Sequence, residues 1–81
     1  MRKTIYKEDY KLILQLLTDA RTAAGLTQEE LADRLKVTQS FISKCERGER
    51  RLDILDLRDF CEALGISLSA FVRKLERTWK A

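Results

Sequence analysis

The sequence predicts an all-α chain of five helices, and three observations predict it. There is no proline among the 81 residues, and the only glycines are Gly25, Gly48 and Gly65. Each falls where a helical pattern runs out. Between those points apolar residues recur three and four positions apart, the period of a helix face. Every helix start after the first also carries the same signature. An apolar residue precedes a capping residue, and a second apolar residue lies four positions into the helix. The pairs are Leu26 with Leu31 around Thr27, Val37 with Ile42 around Thr38, Leu52 with Leu57 around Asp53, and Ile66 with Phe71 around Ser67. These are hydrophobic-staple spacings.

Helix 1 is expected from about Lys7 to Ala24. Tyr10, Ile13, Leu14, Leu17 and Ala24 form one apolar stripe, and Leu12, Leu16, Ala20 and Ala23 form a second beside it. Together they are wider than a small core needs, so either the terminal helix or a second subunit covers the excess. Gly25 ends this helix. Helix 2 is expected over Gln28–Leu35, opened by a capping box of Thr27 and Glu30. Helix 3 follows over Gln39–Arg47, capped by Thr38 and ended by Gly48. Helix 4 spans Ile54–Leu64, with Ile54, Leu57, Cys61 and Leu64 inward. Helix 5 spans Leu68 to about Trp79, with a stripe of Leu68, Phe71, Val72, Leu75 and Trp79.

Residues 1–81 make one domain with a core of about 7–75, a length that buries a single modest core. Hydrophobic residues at 44% and charged residues at 36% suit a soluble helical protein. The net charge of +3 is a weak pointer to nucleic acid, because acids and bases are interspersed. Where the cations fall matters more than their sum. Cys45 and Cys61 lie on separate apolar faces and read as buried thiols; a disulfide is the sharper alternative. There is no histidine and no cysteine cluster, so neither a metal nor another cofactor is expected. No stretch approaches the roughly 20 apolar residues of a membrane span. MRKTIYKEDYK lacks a signal-peptide core, so a cytoplasmic location is the default. An enzyme is not expected either. No phosphate-binding loop or nucleophile–base pair is present, and Asp53, Asp56 and Asp59 fit capping and solvation.

Helices 2 and 3 organise the rest. Only Lys36 and Val37 separate Leu35 from the Thr38 cap, so the two helices form a helix-turn-helix. The outward face of helix 3 offers Gln39, Ser40, Ser43, Lys44 and Arg47, side chains suited to base edges and phosphates. Gln28, at the start of helix 2, can meet a phosphate with side chain and backbone N–H together. Arg50 and Arg51, in the loop after helix 3, are expected to grip the backbone on the other side, with Arg47 a weaker phosphate candidate. No acidic residue interrupts this face, although Glu49 lies nearby. Phe41 could touch a thymine methyl, but packing on its own domain is favoured.

The string RxxxGLTQEELAxxLxVTQSxISxxExGxR, running from Arg21 to Arg50, resembles the Cro/C1-type (XRE) family of helix-turn-helix regulators. With flanking helices the resemblance covers about residues 7–75. It implies a five-helix, lambda-repressor-like domain that binds double-stranded DNA in a sequence-specific manner. It implies a small transcriptional regulator, most simply a repressor. By match to the family, Gln39, Ser40, Ser43 and Lys44 are the base-reading set. The family also pairs a helix 1 arginine with a glutamate near the end of helix 3, which here implies an Arg21–Glu46 salt bridge. The corner position often filled by glycine is Lys36, which at positive φ carries roughly 1 kcal/mol of strain.

One recognition helix covers only a few base pairs, so a homodimer reading two half-sites is a natural expectation. Phe71, Leu75 and Trp79 are the candidate interface, with Trp79 its anchor. The alternative folds Trp79 back over Leu12 and Leu16. A different function class also stands: a protein-interaction module, such as an antitoxin or a phage-type accessory factor. It would hold its partner through helix 1 or helix 5.

Overall fold

A computed structural model of the chain describes residues 3–80. It contains α1 (Lys3–Ala23), α2 (Gln28–Leu35), α3 (Gln39–Glu46), α4 (Ile54–Leu64) and α5 (Leu68–Lys80). α1 starts four residues before Lys7, since nothing between Lys3 and Lys7 breaks a helix. The ends of α1, α3 and α5 each differ from expectation by one residue.

The first four helices all stop in the same way. After α1 the Gly25 N–H bonds to the Thr22 carbonyl at 2.9 Å and Leu26 N–H to Arg21 at 3.1 Å. The pattern repeats at Lys36 and Val37, at Gly48 and Glu49, and at Gly65 and Ile66. This is the Schellman ending, which needs a left-handed residue at its centre. Gly25, Gly48 and Gly65 supply it with φ of 75°, 82° and 74°. Lys36 supplies it with φ 59°, ψ 43°, the only non-glycine among the described residues with positive φ.

Three corners then reuse one short design. Gly25-Leu26-Thr27, Lys36-Val37-Thr38 and Gly65-Ile66-Ser67 each place the left-handed residue, an apolar residue and an N-cap in succession. Thr27, Thr38 and Ser67 side chains accept from the third N–H of the following helix at 3.0–3.1 Å. A helix therefore ends and the next begins within three or four residues, which restricts the angle between them.

The core gathers Leu17, Leu31, Ala32, Ile42, Cys45, Phe60, Cys61, Leu64 and Phe71. Leu14 and Leu75 are also buried. Cys45 and Cys61 are both buried free thiols. In α4 the inward row is Leu57, Phe60, Cys61 and Leu64. Ile54, expected inward, is 61% exposed, because it opens the first turn beyond the edge of that row. Phe60 takes the core place instead.

The surplus apolar face of α1 is covered from within. α5 packs along α1 and α4, and Phe71 and Leu75 are 4% and 5% exposed. Those two residues are spent in the core of their own subunit and are not available as the interface expected of them. Trp79 is 44% exposed and its indole N–H points to the Asp9 carbonyl of α1 at 3.4 Å. It thus leans on α1 nearer its start than Leu12 and Leu16.

Candidate nucleic-acid interface

α3 is held from beneath and from both ends. Ile42 and Cys45 are 0% and 1% exposed and fix which way the helix faces. Thr38 caps its start. Its end is tied by Glu46, which accepts from Arg21 Nε at 2.7 Å, from Arg21 Nη2 at 3.1 Å and from Gln28 Nε2 at 3.0 Å. Arg21 Nη1 also donates to the Leu26 carbonyl at 2.8 Å. The side chains of Arg21 and Glu46 are only 14% and 9% exposed. A pair so sheltered is costly to break, because either partner left alone is a buried charge. These bonds join α1, the first corner, the start of α2 and the end of α3.

The opposite face of α3 is open. Gln39, Ser40 and Lys44 are exposed, while Ser43 is half-buried and its hydroxyl accepts from Arg47 Nη1. Ser43 can still donate its own O–H, but it is less free than its neighbours. Gln28, placed at the start of α2 as expected, turns one amide N–H inward to Glu46. Its second amide N–H and its backbone N–H are donors that suit a phosphate. The inward bond is not legible in the sequence, because Gln28 lies 18 residues from Glu46 and reads as a phosphate contact, while Glu46 is already assigned to Arg21.

Arg47 Nε donates to Glu49 at 2.7 Å, which pairs that exposed acidic side chain with a cation. That hydrogen bond and charge hold the Glu49 carboxyl below its usual range and push the Arg47 guanidinium up. The Arg50 guanidinium lies over the Phe41 ring at 4.7 Å from its centroid, and that of Arg51 over the Tyr10 ring at 5.0 Å. Phe41 is half-buried and packs against the core. Arg34 donates to the Ala63 carbonyl at 2.9 Å and so caps the end of α4.

Gln39, Ser40 and Lys44 are therefore exposed on a helix anchored by its buried face, with Gln28 bonded to its end through Glu46 and Arg50 stacked on its Phe41. Hydrogen-bonding side chains at the start of a helix and cations at its flanks fit a DNA groove between its two backbones. Among the described residues, no group of three histidine, cysteine, aspartate or glutamate side chains could hold a metal. Among them, no helix is long and apolar enough to cross a membrane.

Comparisons with known proteins agree with this geometry. The helix-turn-helix family model matches residues 17–71. The chain is 34% identical over 68 residues to an uncharacterized HTH-type transcriptional regulator, y4dJ, of Sinorhizobium fredii, covering 84% of this chain and 88% of that one. It superposes with a TM-score of 0.88 on an XRE-family like protein from Pseudomonas syringae pv. tomato, at 50% identity, over 94% of this chain and 93% of that one. The wild-type restriction-modification controller protein C.Esp1396I superposes with a TM-score of 0.79 at 28% identity, over 85% and 88% of the two chains. Fold and family are those of DNA-binding regulators rather than enzymes. The chain belongs to the Cro/C1-type (XRE) helix-turn-helix family and is a DNA-binding transcriptional regulator.

Proposed function

We propose that this regulator reads an operator by laying α3 in the major groove, with Gln39, Ser40, Ser43 and Lys44 at the base edges. Gln28, Arg50, Arg51 and, less directly, Arg47 hold the phosphates. The observation that carries the reading is the two-sided character of α3. Ile42 and Cys45 are buried on one side, and Gln39, Ser40 and Lys44 are exposed on the other. Gln39 suits adenine N6 and N7, and Lys44 suits guanine O6 and N7. Gln39→Ala is expected to weaken binding to a selected operator by about 1–3 kcal/mol while leaving scrambled DNA unchanged. Titration of both duplexes checks it; equal losses on the two would remove Gln39 from the base-reading set.

Repression is the simplest regulatory outcome, because an occupied operator that overlaps a promoter excludes polymerase with no further surface. The same reading places the protein in the cytoplasm with its DNA. It also favours a homodimer, since two copies of α3 about 34 Å apart would read two half-sites. With Phe71 and Leu75 buried, the exposed large apolar side chains among the described residues are Val37, Ile54, Leu55 and Trp79, at 36%, 61%, 56% and 44%.

A partner protein is the second reading. One observation favours it: an apolar groove of about 360 Å³ between α1, the end of α4 and α5, lined by Leu16, Ala20, Ala23, Leu64, Ile66 and Phe71 among others. Such a seat is compatible with DNA binding, because it lies on helices other than α3.

A further inference from the structure

The loop between α3 and α4 carries both phosphate-gripping arginines, yet it has no regular structure of its own. A loop left free would spread Arg50 and Arg51 over many positions, and each would have to be ordered on binding. The structure instead ties this loop to α1 through one side chain. The Tyr10 hydroxyl donates to the Arg50 carbonyl at 3.3 Å and accepts from the Leu52 N–H at 3.0 Å. It therefore bonds the backbone on both sides of Arg51. The ring of the same Tyr10 lies beneath the Arg51 guanidinium. Phe41, from α3, lies beneath that of Arg50. Each cation is thus stacked on an aromatic ring from a helix that the core already fixes.

We propose that Tyr10 is a positioning residue for DNA-backbone binding: its hydroxyl brackets Arg51 and its ring presents that guanidinium to a phosphate. Phe41 serves Arg50 in the same way. This rests on the phosphate role proposed above for Arg50 and Arg51. Tyr10 itself does not touch DNA. Its contribution is to lower the ordering cost of two cations that do.

The test is a mutant cycle read on a double-stranded DNA of mixed sequence, titrated at several salt concentrations. Arg50→Ala with Arg51→Ala comes first. It is expected to flatten the dependence of log K on log salt by about 2, one for each phosphate contact. An unchanged slope would overturn the phosphate role, and the present inference with it. Tyr10→Phe in the wild-type background keeps the ring and removes both loop bonds. It is expected to weaken binding about fivefold and to move the salt slope part of the way to that of the double-arginine variant. In the double-arginine background the same Tyr10→Phe change is expected to do nothing to DNA affinity. An equal loss in both backgrounds would mean that Tyr10 only supports the fold, and would overturn the inference while leaving the phosphate role intact. So would an unchanged affinity in the wild-type background. Hydrogen exchange of the unmodified protein provides a check without any variant. The Leu52 amide should be protected, and exchange at the rate of an open loop would overturn the bracket.

Discussion

At the scale of single residues, Lys36 shows the clearest departure from what its position prefers. It takes the left-handed place that glycine takes at the other three Schellman endings, with φ 59°. A side chain there costs roughly 1 kcal/mol. Lys36→Gly is expected to stabilise the protein by about that amount, read as a rise in the urea midpoint at unchanged slope. The strain was legible because the family resemblance puts a glycine at this corner, where the chain has Lys36. The buried thiols make a second expectation. Desolvation pushes the Cys45 and Cys61 thiols above their ordinary value of 9.0. Above that pH the unfolded chain loses thiol protons that the folded chain keeps, so it binds fewer protons and stability falls as pH rises. Below it these thiols leave stability unchanged. Unfolding at about pH 8 and about pH 10, in wild type and Cys45→Ala, checks the sign; the pH-dependent loss should be smaller in the variant.

At the scale of elements, helix boundaries were legible because they are set locally. A cap, a staple and a left-handed stop lie within a few residues of one another, and α2 and α4 begin and end where those signals put them. α1 lacked such a signal at its start, and there the expectation fell short by four residues. What sequence could not show was which side of an apolar element wins the core. Ile54 and Phe60 both lie near the edge of the α4 stripe, and only packing against α1, α2 and α5 chooses Phe60. Long-range polar partners were hidden for the same reason. Gln28 reads as an outward phosphate contact until the fold brings Glu46 to it, and nothing local to Arg34 points to the Ala63 carbonyl. Tyr10 carried a clue in its stripe position, since a tyrosine drawn inward needs a partner for its hydroxyl. Between elements, the Arg21–Glu46 pair is the main polar tie of α3 to α1. Arg21→Ala is expected to cost about 3 kcal/mol, because Glu46 is left sheltered and charged with only Gln28 beside it. Chemical denaturation measures it, and a loss below about 1 kcal/mol would place the pair among ordinary surface bridges.

At the scale of the whole molecule, the five helices divide into a reading unit and its support. α2 and α3 present the polar face, while α1, α4 and α5 bury the apolar face beneath it and leave α3 little freedom to shift. The base-reading set could be proposed from sequence because it occupies helical positions opposite Ile42 and Cys45, and those two settle which way the helix faces. The oligomeric surface could not be read in this way. Helical period marks Phe71 and Leu75 as apolar, but whether they face a neighbour or their own core depends on where α5 docks.

The measurement that bears most directly on operator reading is selection from a random double-stranded DNA pool at two salt concentrations, with sequencing of the retained fraction. The account predicts one enriched motif built of two half-sites about one helical turn apart, with a retained amount that falls as salt rises. Salt-sensitive retention with no enriched sequence would contradict it, leaving the loop arginines as a basic surface and α3 as a helix that touches DNA without reading it.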